Sequence, residues 1–123
     1  MAEKVIAWFQ IPAADFPRAV TIYNKILGLE LQVVEMDPEK RGMFPAKAPA
    51  TGGAVVETRG YRPGEVGTMV FLAAGDDLSK VLSRVEGARG KELVPKTLIN
   101  EETGYFAIFS DTEGNKVGLH SMH

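Results

Sequence analysis

The apolar positions of this chain change period twice, and then the whole pattern repeats. Val5–Ile11 is a β-branched and aromatic run closed by Pro12, which predicts a strand with Ile6, Trp8 and Gln10 on one face. The spacing then switches to three and four. Phe16, Val20, Tyr23 and Leu27 form a helical stripe, with Asp15 placed to cap it, Pro17 tolerated in the first turn and Gly28 placed to end it. Leu29–Met36 reads as a second strand, Asp37–Gly42 as a polar turn and Met43–Phe44 as a short strand. Pro45–Gly53 reads as a loop, which either covers a cleft or simply connects two strands. Ala54–Thr58 is a further strand, with Val55 and Glu57 on the face opposite Val56.

A connector, Tyr61–Gly67, carries two glycines and a proline and is the expected hinge. After it come a strand over Thr68–Ala73, a cap at Asp76 or Asp77, and a helical stripe of Leu78, Val81, Leu82 and Val85 running to Gly87 and Gly90. Lys91–Leu98 is strand-like, Asn100–Gly104 a turn, and Tyr105–Phe109 and Lys116–His120 a closing hairpin. Asp111, Gly114 and Asn115 supply the chemistry of its turn. In the last strand Lys116, Gly118 and His120 face one way, and Val117 and Leu119 the other. A shift of 62 superposes Asp15 on Asp77, Arg18 on Lys80 and Gly28 on Gly90, and a shift of 61 puts Gly53 on Gly114 and Glu57 on Gly118. The predicted fold is therefore α+β: one domain over residues 1–123 made of two strand–helix–strand–strand–strand (βαβββ) modules, about 1–60 and 65–123, each too small to bury its own apolar faces.

Composition narrows the function classes. The net charge is −2, with no basic surface to recommend a nucleic-acid partner, and cysteine is absent, which removes thiolate chemistry and disulfides. Hydrophobic residues make up 45% and charged residues 24%, the balance of an ordinary folded domain. No apolar run is long enough to span a membrane, and the start, Met1–Lys4, leads straight into a strand pattern, so a cytoplasmic protein is expected. Gly64–Thr68 lacks the lysine of a phosphate loop, and no serine–histidine–acid order is present.

The helix end Tyr23–Leu31 (YNKILGLEL) and the hairpin Asp111–Ser121 (DTEGNKVGLHS) resemble those of the vicinal-oxygen-chelate superfamily of glyoxalase I, antibiotic-binding resistance proteins and extradiol dioxygenases. The resemblance covers essentially the whole chain. It implies two βαβββ modules whose sheets curl around a shared cleft, and frequently a homodimer that builds or completes that cleft. It also implies four metal-ligand positions in the metal-dependent members. Carried onto this chain these fall on Trp8, Glu57, Val70 (or Met69) and Gly118, which keeps one competent ligand, Glu57, and no metal or other cofactor is expected.

Trp8, Gln10, Val70, Leu72, Gly118 and Tyr105 are the expected ligand-binding residues, in a cleft suited to an apolar or aromatic compound, with Met69 and Phe71 packing outward against the helices. Glu57, facing inward across from Gly118, and His120 on the same strand as Gly118 are the candidate catalytic pair for proton transfer next to a carbonyl. Against each stands a plainer alternative: Glu57 paired with Arg59 or Lys116, His120 packed at the rim, and a cleft filled by its own side chains. The leading expectation is a metal-independent small-molecule-binding protein; the alternative is a lyase or isomerase using Glu57 with His120.

Overall fold

The computed structural model describes residues 5–123; the expectation for the first four residues lies outside them. The chain forms β1 (Trp8–Pro12), α1 (Phe16–Leu27), β2 (Gln32–Met36), β3 (Glu39–Met43) and β4 (Gly52–Glu57). It continues with β5 (Phe71–Ala73), α2 (Ser79–Leu82), a turn of 3₁₀ helix (Glu86–Ala88), β6 (Lys91–Asn100), β7 (Gly104–Ser110) and β8 (Lys116–Ser121). These make two four-stranded sheets, ordered β1-β4-β3-β2 and β5-β8-β7-β6. In each sheet the first strand pairs parallel with the fourth and the remaining pairs are antiparallel. The α+β architecture follows as expected.

Several boundaries differ from the sequence pattern, each for a local reason. Val5 and Ile6 lie exposed ahead of β1, because no partner strand reaches that far. Residues 37–42 are not one turn: Asp37 and Pro38 alone form it, and β3 starts at Glu39, its polar side chains suiting a half-covered strand. Of Thr68–Ala73, the regular strand keeps three residues, Phe71–Ala73 paired with β8, and the Val70 carbonyl accepts the Gly118 amide just ahead of it. The second module's stripe is broken into the four-residue α2 and the 3₁₀ turn. There the left-handed residue is Arg89, with φ 75°, and not Gly90. Gly90 is glycine for space: a Cβ on it would lie 2.8 Å from the Ser110 carbonyl oxygen and 2.9 Å from Ile22. In the first module the cap is as expected, with Asp15 accepting from the Arg18 amide and Gly28 at φ 64°.

The buried face of α1 is broader than its expected stripe. Ala19, Ile22 and Ile26 are buried with Phe16 and Tyr23, while Val20 and Leu27 are half-covered. The helix has two neighbours, the β4 side of its own sheet and the helical segment of the second module. One apolar cluster results, running from Ile11, Tyr23 and Val55 to Leu78, Val85, Phe109 and Leu119.

The turn between β7 and β8 clasps the modules together. Asp111 accepts the buried Tyr23 hydroxyl at 2.7 Å and the amides of Glu113 and Asn115. Asn115 donates to the Pro12 carbonyl and accepts the Gly64 amide. Glu113, its side chain fully covered, accepts the amides of Ala14 and Asp15 and the Arg18 guanidinium. The connector is strapped down rather than hinged: besides the Gly64 bond, the Tyr61 hydroxyl donates to the Gln10 carbonyl.

Burial opposes ionisation of Glu113, but Arg18, the Asp15 and Ala14 amides and Thr112 outweigh it and hold its pKa below 4.5. Its contribution to stability is therefore complete above that ordinary value and is lost as pH falls through the lowered one. Acid titration of the melting temperature is expected to show this loss, and Glu113→Gln to reduce it. Tyr23→Phe, which strips Asp111 of a buried donor, is expected to cost about 1–3 kcal/mol, read as a lower urea midpoint at unchanged slope.

Candidate functional site

Strand parity decides what faces where. In the first sheet Phe9, Ile11 and Val55 point to the helices, so Trp8 and Gln10 stand on the opposite, open face. The Trp8 indole there donates to the Gln10 side chain at 3.3 Å. In the second sheet Leu72, Ala107 and Leu119 point to the helices, leaving Phe71, Phe106, Gly118 and His120 on the open face. The expected assignment of β5 is thus reversed: Leu72 belongs to the core, Val70 packs against it, and Phe71 is half exposed at 48%.

Phe71 lies across Gly118. A Cβ built on Gly118 would meet the ring at 2.2 Å, and the ring makes an edge-type pair with Phe106, centroids 6.4 Å apart. The first sheet repeats the device, since Cβ atoms on Gly52 and Gly53 would meet the rings of Trp8 and Phe9 at 3.1 and 2.2 Å. Each glycine gives an aromatic side chain a bed on the neighbouring strand.

Glu57 is not in the cleft. Its parity with Val55 carries it to the helix side, where it accepts the Phe16 amide at 2.8 Å at the start of α1. Ser121 does the same for the second module, accepting the Leu78 amide at 2.9 Å. The amides of Ala13 and Ala74 likewise donate to the carbonyls of Val56 and His120. The last strands of the two modules therefore superpose with a shift of 64, Glu57 on Ser121, and the expected match of Glu57 with Gly118 is displaced by three residues. Glu57 borders a shallow opening with Arg59, Tyr61 and Arg62. His120 stands on the open face of the other sheet, its Nε2 2.6 Å from the Thr103 carbonyl. The structure does not bring Glu57 and His120 together. Tyr105 points to the helix side, with the Lys96 ammonium 4.5 Å from its ring centre. Lys96 pairs in turn with Asp77, which that bond and the Ser79 amide hold at a pKa of about 2.

The main cavity, about 1000 Å³, lies where β1 and β5, the end strands of the two sheets, approach each other. Trp8, Gln10 and Phe71 border it from the open face, and Phe9, Phe44, Val70 and Leu72 from the helix face. The long loop contributes Pro45, Ala46, Ala50 and Thr51, so it forms a wall of the cavity. Of the expected ligand-binding residues, Trp8, Gln10, Val70 and Leu72 border this cavity, whereas Gly118 and Tyr105 do not. Phe44 and Phe71 were missed. Reading Phe71 as the aromatic partner of strand glycine Gly118 would have found it.

The metal positions implied by the family resemblance do not fit a divalent ion. The Trp8 indole offers no lone pair, Val70 is apolar, Glu57 is engaged at the α1 N-terminus, and the Phe71 ring fills the space of a side chain at Gly118. Among the described residues no group of three His, Asp or Glu side chains is placed to hold a metal ion.

Paired βαβββ units around a cavity between their end strands define the glyoxalase-type fold. The chain belongs to the Glyoxalase/Bleomycin resistance protein/Dioxygenase superfamily, whose family model matches residues 5–119. Glyoxalase I from Zea mays superposes with a TM-score of 0.70 at 19% identity over 94% of this chain. This chain spans 45% of that enzyme, about half its length. A glyoxalase/bleomycin resistance protein from Albidiferax ferrireducens aligns over 93% of this chain and 95% of its own, with TM-score 0.68 and 15% identity. TnmS3, an antibiotic binding protein from Streptomyces, aligns over 98% of both chains with TM-score 0.65 and 23% identity. Among curated proteins no sequence matches this chain. No helix among the described residues is long and apolar enough to cross a membrane.

Gly118→Ala is expected to destabilise the protein by about 1–3 kcal/mol through the clash with Phe71, and Phe71→Ala in the same chain to remove most of that penalty. Denaturation midpoints of the two single variants and the double variant measure the coupling. Glu57→Ala, which removes the acceptor at the start of α1, is expected to cost about 1 kcal/mol on the same measurement, and Glu57→Gln much less.

Proposed function

We propose that this protein binds a small apolar or aromatic molecule in the cavity between β1 and β5, and that it does so without a resident metal ion. The observation that carries this reading is the cavity itself: about 1000 Å³, bordered by Trp8, Phe9, Phe44 and Phe71 and by more apolar than polar surface. Such a volume accommodates a drug-sized ligand, and its aromatic rings offer flat surfaces for stacking. The antibiotic-binding relative from Streptomyces, similar over its whole length, gives a precedent in this fold. Metal independence is supported by the donor set, which lacks the open oxygen and nitrogen ligands that metal chemistry in this fold would use. We also propose that two chains pair. The outer strands of both sheets support this, since Val33 and Met36 on β2 and Leu93, Leu98 and Ile99 on β6 are exposed apolar side chains that pairing would cover.

The sequence has a single tryptophan, so a naphthalene-type ligand entering the cavity is expected to change the Trp8 emission. By calorimetry, Trp8→Ala should weaken that ligand about tenfold or more, and Glu57→Gln should leave its affinity unchanged. Metal analysis of the purified protein, with melting scans against zinc, nickel and manganese salts, is expected to show neither stoichiometric metal nor a shift. One metal per chain with a raised melting temperature would overturn the metal-free reading.

A further inference from the structure

The cavity has a charge asymmetry that its apolar walls conceal. Of the side chains that border it, two are ionisable, Lys80 and Arg84, and both are cations; no Asp or Glu borders it. Lys80 lies in α2 and Arg84 just beyond its end, where the Arg84 amide donates to the Val81 carbonyl at 3.0 Å, and Val81 also borders the cavity. Three basic side chains elsewhere are paired with acids, Arg18 with Glu113, Arg41 with Glu39 and Lys96 with Asp77. Among the described residues neither Lys80 nor Arg84 forms an ion pair. Arg84 is fixed by one of its terminal nitrogens, which donates to the Ile26 carbonyl at 3.1 Å. This leaves the rest of its donor fork available.

The placement separates the two kinds of wall. Trp8 and Phe71 stand on the open faces of their sheets, while Lys80 and Arg84 come from the helix side, with Leu27, Leu29, Phe44 and Val81 bordering the same space. A ligand reaching from one side to the other would have its apolar body against the aromatic rings and its far end beside two cations. Both cations are exposed to solvent where they border the cavity and no carboxylate borders it, so that end attracts negative charge, most strongly at low salt, and repels a cationic end.

We propose that the cavity is specific for amphipathic anions: a flat apolar or aromatic body bearing a carboxylate or a chemically similar acidic group, with the anion held by Lys80 and Arg84. This rests on the reading of the cavity as a ligand site and adds the charge class of the ligand. It also gives Lys80 and Arg84 a role as specificity residues distinct from the stacking surface.

The test compares three probes of nearly equal shape, naphthoate, naphthamide and naphthylmethylammonium, by Trp8 fluorescence and calorimetry at low and high salt. Naphthoate is expected to bind about tenfold or more tighter than naphthamide, with a preference that shrinks as salt rises, and the ammonium probe weakest. Lys80→Gln/Arg84→Gln should abolish the preference for naphthoate, lowering its affinity by a much larger factor than that of naphthamide. Lys80→Glu alone, which leaves the Arg84 bond to Ile26 intact, should lower naphthoate affinity at an unchanged melting temperature. Equal binding of naphthoate and naphthamide, tighter binding of the ammonium probe, or indifference to both variants would overturn the anion proposal and leave the ligand-site reading standing. Binding of none of the three would overturn both.

Discussion

Asp111 sits where a carboxylate costs most and is most completely answered. It is buried, and it takes the Tyr23 hydroxyl from the first module's helix together with two amides and a side-chain amide from its own turn. A buried carboxylate without these partners would not be tolerated, so formation of the turn and docking of α1 are one event. Tyr23 reports the same coupling from its side, since burial and then the neighbouring Asp111 charge raise its pKa well above 10. Asn115 and Glu113 extend the contact to Pro12, Gly64, Ala14, Asp15 and Arg18. A five-residue turn thus organises the first module's β1–α1 junction and the connector.

The remaining geometry follows from that junction. With α1 locked against the second module, the apolar cluster is shared, and β1 and β5 are brought near each other as the end strands of separate sheets. They leave a space between them whose walls come from both modules and from the long loop. The glycines opposite Trp8, Phe9 and Phe71 let those rings lie flat against neighbouring strands. At Gly118 this has a chemical consequence, because the ring occupies the place from which a ligating side chain would reach a metal.

Much of this was legible in the sequence. The Asp15 and Gly28 caps, the closing hairpin and the repeated order of elements depend on local signals, and those signals point the same way as the tertiary structure. The errors arose where a decision depended on the partner. Val55 and Glu57 were correctly placed on one face, yet which face of β4 meets the helices is settled by packing, and that sent Glu57 to the start of α1. The same ambiguity exchanged Leu72 and Phe71, since in a three-residue strand alternation alone cannot say which side is the core. Gly90 looked like a helix-ending residue and is instead a point of close approach to Ser110 and Ile22, a contact distant in sequence. The repeat was visible, but its shift changes from 62 at the helices to 64 at the last strands, and that drift displaced the match between Glu57 and Gly118.

The account makes the turn at 111–115 the clasp that joins the two modules into one cooperative body. Native-state hydrogen exchange tests this at the amides of Ala14, Asp15 and Gly64, whose acceptors all lie on that turn. The expected result is that these amides exchange with the same opening free energy as the core strands β4 and β8, because the modules separate only on global unfolding. Exchange at a much lower free energy, while both sheets stay protected, would show modules that part and rejoin independently and would contradict the account.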